Sequence, residues 1–219
     1  MKIAVMAGTP IDTQMGVILL EKRGFSAIPC PISRTSKEQD AIQFLSQKKL
    51  FSIVLKKIEE AKNKGAAALF IYCNSLSSAL NIPLLKEKTE IPIISPLDSY
   101  QKIGLKHSDI LLLAANSIAT QKVEAVLKSA NPEISVLSIG YLNLVHNIEN
   151  LQDKEQILKE SALPKLFNFF NSLPENKNRI VLLACTHFPY LKKEMQELSN
   201  YPIIDPVDIM LSYLRKFIM

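Results

Sequence analysis

The chain has 219 residues, 47% of them hydrophobic and 21% charged, with a formal net charge of +5. That length suits one large or two small domains and a core that needs neither disulfides nor a structural metal. The lysines lie in scattered pairs (Lys48 and Lys49, Lys56 and Lys57, Lys192 and Lys193) without interleaved aromatics, which excludes an obvious nucleic-acid footprint, and no apolar run approaches the roughly 18 residues of a membrane span.

Residues 1–8 carry one charge and then an apolar run too short for a signal h-region, so a buried strand is expected over 3–7. A strand over 26–30, a helix over 37–64 and a strand over 66–72 follow. Next come a helix over 75–88 and a strand over 91–94. The second half repeats the alternation: strands over 110–114 and 134–139 flank a helix over 121–129. A polar loop is expected around 143–147, then a helix over 154–172 and strands over 180–184 and 203–204. Short apolar runs alternating with longer amphipathic stretches predict an α/β fold with parallel sheets and crossover helices. Few polar residues interrupt the strands, as expected when both sheet faces are covered.

The halves also resemble each other. Residues 4–14 lie over 111–121 with four identities in eleven, and residues 91–98 lie over 201–208 with five in eight. Cys73 then falls opposite Cys185, each ending an apolar run. The expected architecture is two pseudo-symmetric lobes, each a mostly parallel sheet flanked by helices. Lobe one would span 1–98, completed by 207–219, and lobe two 99–206. Ligands of open parallel sheets bind beyond the carboxyl ends of the strands, so related lobes would offer both thiols to one ligand.

Asn74 and Ser75 are suitable caps for a helix beginning after Cys73, and Thr186 or His187 for one beginning after Cys185, with Pro189 acceptable in its first turn. A thiol beside helix amides sits near a positive partial charge that favours thiolate, and the same amides can hold a carboxylate. A lone free cysteine is more often a small buried hydrophobe. Two at corresponding positions of a repeat argue for chemistry instead. Cys30, before Pro31, has no counterpart and is assigned to structure. His187 could relay a proton to Cys185, donate to a ligand or merely cap amides. Three cysteines without close spacing make neither a disulfide framework nor a zinc site, and point to a reducing cytoplasm. No metal-ligand cluster, dinucleotide or phosphate-loop motif, or serine elbow occurs, so neither metal nor cofactor is expected.

At the two cysteine segments the chain resembles the aspartate/glutamate racemase superfamily, particularly glutamate racemases. Cys73-Asn74-Ser75 is similar to that family's cysteine-asparagine-threonine signature, and Ala184-Cys185-Thr186-His187-Phe188-Pro189-Tyr190-Leu191 to its second signature. The block from Pro31 to Glu38, with Ser33, resembles its substrate loop. Residues 115–120, with Asn116 and Thr120, resemble its second-lobe loop. The resemblance implies cofactor-independent racemisation of an amino acid by two opposed cysteines, Cys73 acting on the D-enantiomer and Cys185 on the L-enantiomer. Asn74, Ser75 and Thr186 would hold the α-carboxylate and amine. Where glutamate racemases carry an aspartate-serine-glycine turn, this chain has Ala7-Gly8-Thr9, nearer the opening of aspartate racemases, with Thr13 matching a threonine there. The family's second-lobe glutamate falls at Glu149 or is replaced by His146. The resemblance also admits a homodimer. The alternatives are a non-catalytic amino-acid binder and another isomerase of the superfamily.

Overall fold

Eight short segments become strands: the central ones, Lys2–Ala7, Ala66–Ile71, Asp109–Ala114 and Arg179–Ala184, are almost wholly buried because helices cover both faces, whereas Ser26–Pro31 and Ser135–Gly140 at the sheet edges keep exposed positions. In the computed structural model they form two separate four-stranded sheets, every pairing parallel. The structure describes residues 1–35, 38, 45–150 and 153–218. The chain divides into a unit of Met1–Asp98 joined by the segment from Val207, and a unit of Ser99–Pro206.

In the first unit, β1 (Lys2–Ala7), β2 (Ser26–Pro31), β3 (Ala66–Ile71) and β4 (Ile93–Ile94) lie in the order β2-β1-β3-β4. One face is covered by α2 (Gln47–Asn63), α3 (Asn74–Ala79) and α4 (Ile82–Lys88). Leu50, Val54 and Ile58 of α2 recur every fourth residue and pack on Met6, Leu69 and Ile71. Each such side chain removed from water contributes about 1.5–3 kcal/mol. The other face is covered by α1 (Pro10–Glu21) and the last helix, α11 (Val207–Ile218), whose Met210, Leu211 and Leu214 meet Ile3, Val5 and Phe70. Gly16 permits the close approach of α1, since a Cβ there would lie 2.7 Å from Val5 Cγ1 and 2.8 Å from Tyr72 Cδ1.

The second unit repeats the topology. Its strands are β5 (Asp109–Ala114), β6 (Ser135–Gly140), β7 (Arg179–Ala184) and β8 (Ile203–Ile204), ordered β6-β5-β7-β8. The helices are α5 (Pro96–Lys106), which crosses from the first unit, α6 (Ser117–Ala130), α7 (Leu142–Glu149), α8 (Lys154–Glu160), α9 (Leu163–Ser172) and α10 (Lys192–Leu198). Phe167 and Phe170 of α9 meet edge-to-face at 5.7 Å in the core against Leu111, Val181 and Leu183.

Four expectations about helices need correction. The helix expected over 75–88 is two helices, because Pro83 lacks an N–H and its ring excludes the carbonyl four residues back, at Ala79; Asn81 Oδ1 then accepts the Leu84 amide and starts α4. Pro164 divides the expected 154–172 helix in the same way after Glu160. The loop expected at 143–147 is helical, because Leu144, Val145 and Ile148 bury one stripe while His146 faces solvent. The helix expected over 37–64 starts only at Gln47, where Ser46 Oγ accepts the Lys49 amide and caps it; Ser36 and Lys37 of the loop block, and 39–44, lie outside the described residues.

Candidate active site

In each sheet the chain runs to one neighbour of the first strand and then crosses to the other, so the order reverses between β1 and β3 and between β5 and β7. Crevices at such reversals, beyond the carboxyl ends of the strands, are where open α/β sheets take ligands. The loops at these two points carry Gly8 and Thr9 beside Cys73 in the first unit, and Asn116 beside Cys185, Thr186 and His187 in the second.

Cys73 is itself the N-cap of α3, correcting the assignment of Asn74 or Ser75 to that place. Its backbone is extended (φ −162°, ψ 120°), and its Sγ accepts the Leu76 amide at 3.5 Å. Its carbonyl takes the Ser77 amide and hydroxyl at 3.0 and 2.8 Å. The residue is 6% exposed, with Asn74 buried beside it and Ser75 half-buried.

Cys185 is provided for differently. Its Sγ lies 3.6 Å from His187 Nδ1, and His187 Nε2 lies 3.2 Å from Glu149 Oε1 at the end of α7. His187 makes no side-chain cap bond to the 3-10 turn Phe188–Leu191, so capping is not the work of its ring. An imidazole between a thiol and a carboxylate can take a proton from one side while the other fixes its orientation and stabilises its charge. Tyr100 of α5 is fully buried; burial first, then the charges of Asp205 and Cys185, hold its hydroxyl well above the ordinary range, so it stays protonated. Glu149, not the exposed His146, is the residue the fold brings to His187.

A family model described as Asp/Glu/Hydantoin racemase matches residues 28–214. The chain belongs to that family. It is 24% identical over 174 residues to a glutamate racemase of Lactobacillus acidophilus, covering 75% of this chain and 62% of the relative. This chain spans less than two thirds of the length of the curated relatives it matches. Its fold is similar to that of a glutamate racemase isoform of Bacillus anthracis (TM-score 0.73, 21% identity, covering 98% of this chain and 81% of that one). It is also similar to that of the Picrophilus torridus aspartate racemase (TM-score 0.68, 15% identity, covering 98% and 93%).

The remaining residues singled out from sequence sit at the same two strand edges of this racemase-family chain, several already engaged. Thr9 caps α1 by accepting the Asp12 amide, while Thr13 donates its hydroxyl to Thr9 O at 2.7 Å. Ser33 donates its amide and hydroxyl to Gly8 O, tying the β2 loop to the β1 loop. Asn116 caps α6 through the Ala119 amide, and Thr120 donates to Ser117 O. Thr186 is 9% exposed beside Cys185. Sequence reasoning passed over Asp12, a buried acid in the first turn of α1, and Gly140. A Cβ at Gly140 would stand 2.7 Å from the Asn116 carbonyl carbon, so only glycine lets the β5–α6 loop lie against the end of β6. Cys30 lies elsewhere, donating to Lys57 O at 3.6 Å; burial is the main reason its thiol is pushed up.

Proposed function

We propose that the protein is a cofactor-independent amino-acid racemase of the aspartate or glutamate type, with Cys73 and Cys185 as its acid and base. The observation that carries this is the Cys185–His187–Glu149 chain at one strand reversal, with Cys73 at the corresponding reversal of the other lobe. One thiolate takes the Cα proton and becomes a thiol; the other thiol delivers a proton to the opposite face and becomes the thiolate. Cys73 serves as the base for the D-enantiomer and Cys185 for the L-enantiomer, His187 accepting and returning the proton of Cys185. Asn74, Ser75 and Thr186 hold the carboxylate and amine, while Gly8, Thr9, Thr13, Ser33, Asn116 and Thr120 shape the surroundings. Catalysts that rely on positioned acids and bases gain typically about 10²–10⁴-fold from them. The three thiols are all free, consistent with work in the cytoplasm, and a homodimer is the assembly this reading admits.

The test is incubation with L- and D-aspartate and L- and D-glutamate in deuterium oxide, following the Cα proton by NMR. Loss of that signal with appearance of the other enantiomer is expected for at least one pair. Binding of these amino acids without any Cα exchange would instead establish the non-catalytic alternative.

A further inference from the structure

One side chain outside the proposed site ties together the two segments that form it. Glu149 closes α7 and Lys154 opens α8, whose start is fixed by Asp153 accepting the Glu155 amide. Lys154 reaches the segment beyond His187: its Nζ lies 2.9 Å from Glu194 Oε1 on α10 and 5.0 Å from the ring centroid of Tyr190 in the 3-10 turn. The distance to the ring lies within cation–π range. The second oxygen of Glu194 is buried without a hydrogen-bond partner among the described residues, so Lys154 is the side chain that neutralises this carboxylate. Burial alone would push the Glu194 carboxyl up; the Lys154 hydrogen bond, its own amide and the charges of Lys154 and Lys193 hold it below its usual value. An ordinary exposed ion pair contributes little because its partners are free to separate in water. Here the carboxylate is largely buried and the ammonium is also held against a ring.

We infer that Lys154 is a positioning residue for the proton relay at Cys185. It clamps the 3-10 turn and α10 to the start of α8, and so sets the 3.2 Å contact between His187 and Glu149. This rests on the proposed role of Cys185. When the clamp is lost, Glu149 and His187 separate more readily, the imidazolium loses its carboxylate, and Cys185 gives up its proton less readily. The titratable groups at Cys185 within its lobe are His187, Glu149 through the ring, and Tyr100 with Asp205. Substitution of Lys154 changes none of these groups directly.

The experiment measures iodoacetamide alkylation of each cysteine against pH, by peptide mass spectrometry on the full chain. The proteins are the wild type, Lys154→Met, Lys154→Arg, His187→Asn and the Lys154→Met/His187→Asn double variant. In Lys154→Met the Cys185 rate at pH 7 should fall about three- to tenfold, in the lower part of the coupling found within one hydrogen-bond network. Its profile should move to higher pH while Cys73 keeps its own. Lys154→Arg, which offers the same carboxylate and ring a cation, should restore the wild-type profile. On the His187→Asn background the lysine substitution should add nothing. The inference is overturned if Lys154→Met lowers the thermal midpoint but leaves the Cys185 profile at wild type. It is equally overturned if Cys73 and Cys185 slow together, or if the effect persists without His187. Should Lys154→Met not fold, Tyr190→Leu, which removes only the ring, is put through the same comparison. Wild-type protein that exchanges no Cα proton in deuterium oxide defeats the racemase reading while leaving this alkylation result intact, so the two failures are separable.

Discussion

The amino-terminal end of the second sheet, opposite the end that carries Cys185, makes a prediction whose size comes from its geometry. Asp109 and Arg179 are the first residues of β5 and β7 and stand in register. Asp109 Oδ2 accepts from Arg179 Nε at 3.0 Å and Nη2 at 2.8 Å, and from Asn176 Nδ2 at 2.9 Å. Arg179 Nη1 also donates to Pro174 O and the Tyr201 hydroxyl, so the guanidinium is satisfied on several sides. The arginine and aspartate side chains are 9% and 11% exposed. Arg179→Met removes one charge and leaves a carboxylate in a place water scarcely reaches, with the Asn176 amide as its remaining side-chain partner. Breaking a buried pair in this way costs about 3–5 kcal/mol. Against a total stability of about 5–15 kcal/mol that is a large part. The double variant Asp109→Leu/Arg179→Met removes both charges and should recover most of the loss, because an apolar pair of similar volume has no desolvation penalty. Urea unfolding followed by circular dichroism measures all the variants, Asp109→Leu included, with hydrogen exchange at the β5 and β7 amides assigning the loss to this sheet. If Arg179→Met lies within about 1 kcal/mol of wild type, or the double variant costs as much as both single variants together, the reasoning from burial and charge is refuted.

Other perturbations reach the site itself. Cys73→Ser and Cys185→Ser should each abolish racemisation in both directions, since every direction needs a base and an acid. With a substrate bearing a β leaving group, Cys73→Ser should still eliminate from the L form and Cys185→Ser from the D form; the same preference in both would sink the two-thiol assignment. Cys30 should be alkylated at least about tenfold more slowly than the faster of the other two thiols at pH 7, because its raised ionisation keeps thiolate scarce until alkaline pH. Equal rates for all three, read by peptide mass spectrometry, would remove the distinction between structural and reactive cysteines. Gly140→Ala should cost about 1–3 kcal/mol in thermal or urea unfolding, since its Cβ would meet backbone atoms of Asn116 and Ser117 at 2.7–2.9 Å; a neutral result would mean that the loop shifts freely.

The central strands were legible because burial on both faces leaves a mark in sequence that needs no partner to interpret: an uninterrupted apolar run over 3–7, 66–71, 110–114 and 180–184. Helix limits were less so. Pro83 and Pro164 act on a carbonyl four residues earlier, so an amphipathic pattern carries through a break that only the ring's position reveals. At α7 the polar Asn143, His146 and Asn147 suggested a loop; the buried stripe of Leu144, Val145 and Ile148 decides otherwise. The choice between His146 and Glu149 depended on the phase of that helix. Once α7 is helical, the two residues stand three apart on a helix whose buried stripe faces the core, and Glu149 is the one at 3.2 Å from His187. The Lys154 grip links positions 36 and 40 residues apart, a separation that local spacing does not encode.

The repeat and the local sequence therefore govern different things. Two sheets of identical strand order each place a thiol just past the end of the third strand in chain order. The residues immediately after each cysteine decide how its sulfur is served. After Cys73 the chain turns directly into α3, and the sulfur itself takes the place of a capping oxygen, so it accepts from a fixed backbone amide that does not titrate near neutral pH. After Cys185 the sequence Thr186-His187 and the proline at 189 delay the helix, open a 3-10 turn and leave an imidazole beside the sulfur, with Glu149 behind it. One sulfur is seated on a helix amide, the other stands against a group that titrates. On the proposed function the two thiols correspond in placement and differ in proton supply, so substitutions around His187 should slow the elimination that Cys185 begins from the L form and spare the one that Cys73 begins from the D form.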